Sequence, residues 1–353
     1  MTYVNSLTRL NQNASTTIGV ASPSKSRIYR ILKNSNYPYL YDCDFPAKLK
    51  EIHNFINAVK IFKKVISSFN PDIIHANGGA DLMIVICSKF FNRQFKIVRT
   101  HHAIKQIGKD PYHRYLYSKI VAMNIYVSKT SMLISQRNGL QPQKYKVIPN
   151  GVDLDSFKRQ KKSKIILAKL GLKEKDFIFG SSAGLGAYKR VDLFLKAASL
   201  IKNLNFKIVL IGQKEPEIRL RKMAKNLEID DRLIFAGFQD DVIPYVSIFD
   251  VGFIMSDRIE TISFAAREMM GMGIPLLSSN FSGLSENVAH GLTGYLVNPN
   301  DVKKVSEYMR LFIQMGKESL EKFSIQSRNF SEYNFSLLEQ LDSHLEVYNS
   351  IIK

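Results

Sequence analysis

The sequence predicts an α/β protein with two doubly wound parallel-sheet domains that face a common cleft. Short apolar, β-branched runs alternate with segments of helical period along nearly the whole chain. The runs are continuously apolar, which is typical of parallel strands covered on both faces. The alternation pauses once, where a Pro-Asn-Gly turn at 149–151 is followed by the charged stretch 159–164. A cleft between two such domains is a usual place for a ligand.

The individual elements follow from these periods. Strands are expected at residues 17–21, 72–75, 95–100 and 124–127, and again at 177–181, 206–211, 233–235, 251–255 and 274–277. A helix is expected over 47–69, where apolar residues recur every three or four positions. The domains are then 1–158 and 159–330. Residues 331–353 are predicted to form a closing helix that packs back on the first domain.

Composition excludes several classes of protein. Hydrophobic residues make up 45% and charged residues 23% of 353, which indicates a globular chain rather than a disordered one. No apolar run approaches the roughly 20 residues that a membrane span needs, and no apolar block of signal-peptide type follows Arg9. Cys43 and Cys87 have neither metal-ligand spacing nor the number typical of a secreted scaffold. We therefore expect a cytoplasmic protein, soluble or peripheral.

The positive charge is concentrated in the first half. Residues 1–158 carry 23 Lys and Arg against 8 Asp and Glu, whereas the remaining residues carry 27 against 23. This asymmetry predicts an anionic partner: nucleic acid, an anionic membrane or a phosphorylated acceptor. The predicted helix 47–69 carries lysines that would favour anionic lipid, at positions 48, 50, 60, 63 and 64. Its alternative role is a crossover helix packed on the sheet. Tyr112, Tyr115 and Tyr117 form either a second interfacial patch or ordinary packing.

The strongest chemical signal is the strand–loop–helix–strand run over 250–299. Glu260 stands in the loop before a helix whose N-cap is Thr261 or Ser263. The amide groups at such a helix start form a cradle for phosphate oxygens. Glu268, about two turns further on, can accept hydrogen bonds from a ribose diol. The alternative is that both are solvated helix glutamates.

At this point the chain resembles the retaining GT-B glycosyltransferases of family 4, whose motif is Glu-x7-Glu. Glu260 and Glu268 match that motif, and the resemblance covers roughly residues 35 to 353. Further matches are Ile-Pro-Asn-Gly-Val-Asp at 148–153, Lys-Arg-Val-Asp at 189–192 and Phe-Ala-Gly-Phe at 235–238. The resemblance implies two Rossmann-like domains, with a UDP- or GDP-linked sugar donor mainly on the second and the acceptor on the first.

The resemblance also implies roles for single residues. The catalytic set is His102, Lys189 and Glu260, in which Lys189 neutralises the leaving diphosphate and no metal is strictly required. The donor-binding set is Lys189, Arg190, Gly237, Thr261, Ile262, Ser263 and Glu268. His102 fits the family's Thr-x-His position after the strand at 95–100, with His101 as the alternative, whereas His75 is expected to be a packing residue.

Three positions depart from the family pattern. The family begins with a strand and a glycine-rich loop, for which this sequence shows no counterpart. Its first strand-like run, at 17–21, resembles the family's second strand. Gly184 stands where the family usually has Arg, five residues before Lys189. Ser263 stands where a Gly is common. These departures keep a second hypothesis open, a non-catalytic relative that serves as a partner subunit in a glycan-assembly complex.

The leading hypothesis is a retaining hexosyltransferase (EC 2.4) of polysaccharide biosynthesis. Its acceptor is expected to be a lipid-linked saccharide, such as a polyprenyl-linked one, or another envelope glycan. We expect it on the cytoplasmic face of the inner membrane, as a peripheral protein bound to an anionic surface. Nucleic acid is not expected as a partner, because the sequence has no recognisable nucleic-acid-binding module. The same architecture also occurs in sugar-nucleotide epimerases, but the Glu-x7-Glu context argues against that activity.

Overall fold

The computed structural model describes residues 2–12, 16–46, 52–89, 95–102, 111–213, 217–258 and 260–352. The chain divides into two compact units: a first unit of Met1–Asn150 with Leu337–Lys353, and a second unit of Gly151–Ser336. The division at Asn150 precedes the domain boundary that we predicted at 158. Within the second unit, the Val152 amide donates to the Phe335 carbonyl at 2.8 Å, so the segment after Asn150 is already held there.

The first unit contains two parallel sheets. Strands β1 (Val20–Ser22) and β2 (Leu40–Asp42) form one. Strands β3 (Ile73–Ala76), β4 (Lys96–His101), β5 (Met123–Tyr126) and β6 (Tyr145–Val147) form the other, in that order. The helices are α1 (Thr2–Leu7), α2 (Arg27–Asn34), α3 (Ile52–Phe69), α4 (Gly79–Lys89), α5 (Pro111–Tyr115) and α6 (Lys129–Arg137). A 3₁₀ segment, Thr8–Gln12, continues α1, and a π-helical turn, Leu116–Ile120, continues α5.

The second unit is built on one six-stranded parallel sheet. Its strands are β7 (Ile178–Ser181), β8 (Lys207–Ile211), β9 (Leu233–Gly237), β10 (Val251–Ile254), β11 (Leu276–Ser279) and β12 (Gly294–Val297). Their order across the sheet is β12-β11-β10-β7-β8-β9. The helices are α7 (Lys164–Lys169), α8 (Val191–Ser199), α9 (Glu217–Asn226), α10 (Ile243–Val246), α11 (Phe264–Gly271), α12 (Val302–Gln314) and α13 (Lys317–Asn334); α14 (Leu337–Ile352) belongs to the first unit.

Two buried apolar clusters cover the two faces of the second unit's sheet, which is why its strands are continuously apolar. On one face Phe194 of α8 stacks on Phe253 of β10 with ring centroids 3.7 Å apart. On the other face Phe249 packs so closely on β7 that a Cβ at Gly180 would lie 2.2 Å from its ring. Glycine at 180 is therefore required by packing.

Most predicted elements are present, with shifted ends. The strand predicted at 17–21 begins at Val20, and the one predicted at 274–277 runs from Leu276 to Ser279. Strands β2, β6 and β12 were not predicted. The long helix is confirmed over Ile52–Phe69, while its predicted residues 47–51 lie outside the described part of the chain.

The prediction of one closing helix over 331–353 is wrong. Helix α13 ends at Asn334, and α14 begins at Leu337. Phe335 leaves the helical conformation with φ −132°, and its carbonyl accepts a hydrogen bond from Val152 instead of an intrahelical one. Residues 331–336 consequently belong to the second unit and only α14 to the first. None of the described helices has the length and hydropathy that a membrane crossing requires.

Candidate active site

The candidate site of the second unit lies at the carboxyl ends of β7 and β10. Chain order along the sheet reverses between these two strands, since β8 and β9 follow β7 on one side while β10, β11 and β12 lie on the other. Parallel α/β sheets bind ligands at such a switch point. The loop after β7 carries Lys189 and Arg190, and the loop after β10 carries Glu260. Two distant stretches of sequence therefore meet there.

Lys189 and Glu260 form a buried ion pair. The Lys189 Nζ lies 2.6 Å from Glu260 Oε2, and the two side chains are 11% and 10% exposed. The Ser256 hydroxyl donates to the same oxygen at 2.9 Å, and the carbonyl of Ser256 in turn accepts from the Ser279 hydroxyl on β11 at 2.6 Å. Glu260 is thus held directly by Lys189 and Ser256, which follow β7 and β10, and indirectly by Ser279 at the end of β11. Sequence reasoning missed Ser256 and Ser279, because both are ordinary residues at the ends of apolar runs.

The guanidinium of Arg190 forms ion pairs with two neighbouring carboxylates. Arg190 adopts a left-handed conformation (φ 48°, ψ 38°) between the 3₁₀ turn Ala187–Lys189 and α8. Its guanidinium pairs with Asp192 at 3.2 Å and with Asp257 at closer range. These contacts raise the pKa of Arg190 against the opposing effect of burial. In this arrangement Arg190 fastens the β7 loop to the β10 loop, and its charge is already countered.

The start of α11 supplies hydrogen-bond donors. Ser263 is the N-cap, and its hydroxyl accepts from the Ala266 amide at 3.3 Å. Of the two predicted caps, the helix therefore uses Ser263 and not Thr261. Within the described part of the chain, the amides of Thr261, Ile262 and Ser263 have no acceptor. These amides and the positive end of the helix dipole form a place suited to an anion.

Glu268 is the second carboxylate of the motif and has a different environment. Its carboxylate has no hydrogen-bond or ion-pair partner among the described residues. Burial raises the pKa of this carboxyl to about 7, because the charged form loses hydration without gaining a counter-charge. Glu268 is therefore a carboxyl group ready to receive donors from a ligand.

A buried arginine next to Glu268 was not predicted. The Arg267 side chain is fully buried; its Nε donates to Asn287 Oδ1 at 3.0 Å, and its guanidinium lies 4.2 Å from the centroid of the Phe335 ring. Burial lowers the pKa of Arg267 to about 9, against the attraction of Glu286. These contacts link α11 to the 3₁₀ segment Ser282–Asn287. The sequence indicated this buried arginine only by placing a charged residue among the apolar residues of α11.

Two glycines of the predicted site have positive φ. Gly237 ends β9 with φ +72°, and its carbonyl accepts from the Gly212 amide at 3.0 Å. Gly184, in the loop after β7, has φ +83°, and a Cβ built there would meet nothing within 4 Å. The Gly184 position thus has room for a side chain but a backbone conformation that strains any residue other than glycine.

The first unit places the two candidate histidines in unlike settings. His101 is 3% exposed, bonds Asn124 at 3.0 Å and stacks on Tyr126. His102 is half-buried, and its Nε2 lies 3.0 Å from Asn77 Oδ1, an amide that sequence reasoning missed. Burial lowers the pKa of His101 to about 3 and that of His102 to about 4. Both rings are neutral at physiological pH; His101 is the last residue of β4, and His102 follows it directly.

His75 belongs to a buried network of neutral side chains. Its Nδ1 lies 2.7 Å from the Tyr348 hydroxyl and its Nε2 2.6 Å from the Thr100 hydroxyl, which also bonds Tyr3. Tyr3 in turn bonds His344 of α14. Burial lowers the pKa of His75 and brings that of His344 to about 4. The network holds α1 and α14 at the carboxyl ends of β3 and β4.

The predicted membrane-facing surface is only partly exposed. Helix α3 buries Ala58, Phe62 and Ile66, while Ile52 and Ile56 nearer its start are 50% and 46% exposed. Of the three tyrosines, Tyr112 and Tyr115 are exposed, but Tyr117 is 7% exposed and packs in the core. Of the two interpretations left open for these tyrosines, ordinary packing therefore holds for Tyr117.

Two family models match the chain. The model "Glycosyl transferases group 1" matches residues 162–330, and "Glycosyltransferase Family 4" matches residues 20–156. Together they cover most of the chain, one for each sheet-bearing half.

Curated relatives carry glycosyltransferase names. N-acetyl-alpha-D-glucosaminyl L-malate synthase of Bacillus anthracis is 25% identical over 67% of this chain and 64% of its own length. The UDP-Gal:alpha-D-GlcNAc-diphosphoundecaprenol alpha-1,3-galactosyltransferase of Escherichia coli is 26% identical over 60% of this chain and 56% of its own length. The chain thus matches less than two thirds of the length of each of these two relatives.

A solved glycosyltransferase from Rickettsia africae ESF-5 has the same fold. It aligns with a TM-score of 0.90 at 19% identity, over 100% of this chain and 94% of its own. The two family models, the named relatives and the shared fold agree, and the chain belongs to the family 4 glycosyltransferases with the GT-B fold.

Proposed function

We propose that this glycosyltransferase transfers a sugar from a UDP-sugar to a lipid-linked saccharide of the cell envelope, with retention at the anomeric carbon. The observation that carries the proposal is the Lys189–Glu260 pair at the switch point, beside the amides that precede α11. UDP is favoured over GDP as the carrier because the Escherichia coli relative is named for UDP-Gal. The same name motivates a diphosphate-linked polyprenyl acceptor.

Lys189 is the group that meets the leaving diphosphate. An ammonium has three donors, and only one of them is committed to Glu260 at 2.6 Å. The remaining donors and the amides of Thr261, Ile262 and Ser263, which follow Glu260 directly in the chain, are the groups that we expect to bind the phosphate. They stabilise the negative charge that develops as the glycosidic bond breaks, and the step needs no metal.

The two glutamates then have separate roles. Glu260 Oε2 is occupied by Lys189 and Ser256, which leaves Oε1 to accept from the sugar hydroxyls. Glu268 accepts from the ribose diol once it is ionised. Arg190 orders the loop rather than binding phosphate, because Asp192 and Asp257 already hold it. Gly237 leaves room for the base beside β9. His102, neutral and bonded to Asn77, faces the acceptor chemistry of the first unit.

The test is a transfer assay over UDP-glucose, UDP-galactose, UDP-N-acetylglucosamine and GDP-mannose, with polyprenyl-diphosphate saccharides as acceptors. Lys189→Ala and Glu260→Ala are each expected to lower kcat by about 10²–10³-fold. Lys196→Ala, on the exposed side of α8, is the matched control and keeps wild-type turnover. Unchanged turnover in both site variants would sink the assignment. Absence of UDP and GDP binding in calorimetry would favour the non-catalytic partner subunit instead.

We further propose that the first unit docks on an anionic leaflet, as a peripheral protein on the cytoplasmic face of the inner membrane. Helix α3 presents exposed Ile52 and Ile56 near its start and exposed Lys60 and Lys64 further along. Apolar side chains flanked by lysines suit an anionic interface, at about 1 kcal/mol per lysine.

Vesicle sedimentation tests this docking. Binding to vesicles that contain phosphatidylglycerol should weaken at least tenfold in Lys60→Glu/Lys64→Glu. Lys222→Glu/Lys225→Glu, the same charge change on exposed positions of α9, is the control. Equal loss in both double variants, or equal binding to neutral vesicles, contradicts the assignment of α3 as the docking element.

A further inference from the structure

The turn between β3 and α4 is held by one carboxylate. The side chain of Asp81, in the first turn of α4, accepts from the backbone amides of Asn77 and Gly78, each at 2.7 Å. An acidic side chain at this helix position reaches back to amides that have no partner within the helix. The contact is so close that a Cβ at Gly78 would lie 3.0 Å from Asp81 Oδ1. The backbone of Asn77 and Gly78 is therefore fixed by Asp81.

A buried arginine holds the same turn from β4. Arg99 Nη1 donates to the Gly78 carbonyl at 2.6 Å and lies 3.9 Å from Asp81 Oδ1. The Arg99 side chain is only 10% exposed, so little water competes with these contacts. The turn is thus tied to α4 and also to β4, the strand that leads directly to His102.

The side-chain amide of Asn77 has one orientation that fits its two neighbours. Asn77 Nδ2 donates to the His75 carbonyl at 3.2 Å, and Asn77 Oδ1 lies 3.0 Å from His102 Nε2. A carbonyl can only accept, so turning the amide over would place two acceptors against each other. Asn77 therefore presents an acceptor to the ring of His102.

This contact determines which ring nitrogen of His102 carries the proton. Burial, reinforced by the charge of Arg99, lowers the pKa of His102 to about 4, so the neutral ring has a single N–H. Because Asn77 Oδ1 can only accept, that N–H is at Nε2. The Nδ1 atom keeps its lone pair, and none of the described residues donates a hydrogen bond to it.

We propose that Asn77, fixed by Asp81 and Arg99, is a positioning residue that holds the His102 ring with its proton on Nε2 and with Nδ1 open as a hydrogen-bond acceptor. The donor to Nδ1 is a hydroxyl group of a bound saccharide; this part of the inference rests on the proposed function. His102 then recognises a hydroxyl at one place instead of donating a proton to it. The β3–α4 turn, which makes no contact with the ligand in this scheme, sets that selectivity.

NMR of the ring nitrogens reads the tautomer without any need for turnover. The signals that disappear in His102→Gln identify His102 among the seven histidines. In the wild-type protein at pH 7 we expect a neutral ring with its proton on Nε2. A neutral ring with its proton on Nδ1, or a charged ring, overturns the proposal.

Asn77→Asp is the most informative variant, because it keeps the shape and an acceptor but adds a negative charge beside Nε2. The pKa of His102 should rise by about 1–3 units. Asn70→Asp, the same change at an exposed position before β3, should leave it unchanged. An unchanged pKa in Asn77→Asp contradicts the proposal. Both variants keep the other titratable groups around the ring that the structure describes, namely Tyr3 of α1, His75 of β3, Arg99 of β4 and His344 of α14.

Asp81→Asn tests the turn itself. The amide has the shape of the carboxylate but binds the two backbone amides less strongly, so Asn77 should be held less firmly. The Nε2 proton of His102 should then exchange with water about tenfold faster. Asp72→Asn, the matched change at an exposed position, should have no effect. Equal exchange in the two variants contradicts the positioning role of the turn.

Two substitutions of His102 connect the ring to transfer. The side-chain amide of Asn reaches the place of Nδ1, whereas that of Gln reaches the place of Nε2. If the hydroxyl binds at Nδ1, His102→Gln should lose about tenfold more kcat/KM than His102→Asn. The reverse order, or equal loss, overturns the proposal. A wild-type protein without transferase activity would refute the proposed function alone, because the NMR measurements on His102 and Asn77→Asp succeed equally in an inactive protein.

Discussion

The two units hold their functional residues by opposite means. In the second unit Lys189 and Glu260 are both charged and stabilise each other across 2.6 Å. In the first unit Tyr3, His75 and His344 are held by neutral hydrogen bonds, and burial lowers the pKa of the two histidines. Removing one partner of a buried ion pair leaves an uncompensated charge, whereas a network of neutral side chains is disrupted when its histidines are protonated. The second unit is therefore most sensitive to the loss of one charged partner, and the first unit is the one that acid destabilises.

The largest effect is expected from breaking the ion pair. Lys189→Met leaves Glu260 buried without its cation, and Glu260→Gln leaves Lys189 without its anion. Each single change should lower the free energy of unfolding of the second unit by about 3–5 kcal/mol. The double variant should lose clearly less than the sum, because no uncompensated charge remains. Urea denaturation of all four proteins measures this, and strictly additive losses would show that the two side chains act independently.

Acid is expected to act on the first unit. The pKa of His344 is about 4 when folded, against 6.5 for the unperturbed ring. The unfolded chain binds the proton first, so stability is full above pH 6.5 and is lost as pH falls toward 4. His344 alone contributes on the order of 2 kcal/mol of loss by pH 5.

Hydrogen exchange of α14 at pH 7 and pH 5, corrected for the intrinsic rate, measures the acid effect. Substitution of His344 by Leu should flatten the pH dependence, whereas His53→Gln, on the exposed side of α3, should not. A wild-type α14 with the same opening free energy at both pH values would refute the neutral network.

Glu268 sharpens the comparison, because burial raises its pKa, whereas burial lowers the pKa of the histidines. Its pKa of about 7 lies above the unperturbed 4.5, so the folded protein binds the proton first. Its stability contribution is full below pH 4.5 and lost as pH rises through 7. Glu268→Gln should therefore raise Tm at pH 8 but not at pH 4.

The same carboxyl predicts a pH-dependent affinity. If its ionised form holds the ribose diol, Kd for UDP should rise up to tenfold per pH unit below pH 7. Calorimetry at pH 6, 7 and 8 checks this, with Glu268→Gln expected to show weaker, flat binding. A wild-type Kd that is constant over this range would remove Glu268 from the ribose site.

The smallest effect is expected from trimming the neutral network. Tyr348→Phe removes the hydroxyl that lies 2.7 Å from His75 Nδ1 and should cost about 1–3 kcal/mol of stability, since it leaves a buried ring nitrogen unpaired. Tyr333→Phe, at a side chain that is 87% exposed, is the matched control. Equal stabilities of the two variants would mean that the His75–Tyr348 contact contributes nothing.

Sequence reasoning predicted the elements that have a local signature, either a hydrophobic periodicity or a short motif. Five of the six strands of the second unit and most of α3 follow from periodicity, and the motif of Glu260 and Glu268 stands on one short stretch. Strands β2 and β6 were missed, because Leu40–Asp42 and Tyr145–Val147 are three residues each and mostly polar or half-buried. Such short edge strands form through pairing with a neighbour rather than through their own composition.

What sequence reasoning could not supply are contacts between distant residues. His75 and Tyr348 are 273 positions apart, yet they bond directly. Arg190 was predicted from the sequence as a donor-binding residue, but its ion pair with Asp257, on the neighbouring strand's loop, was not predicted. Neither contact leaves a local pattern, because each depends on which strand ends are adjacent in the sheet.

The break at Phe335 also sets an order of events during synthesis. The second unit is one continuous stretch, Gly151–Ser336, and can fold as soon as it leaves the ribosome. Most of the first unit is made earlier but lacks α14, with His344 and Tyr348, until residues 337–352 are translated after the second unit. The half that is synthesised first is therefore finished last. A chain released early would carry a complete second unit beside an unfinished first one, and proteolysis would remove it.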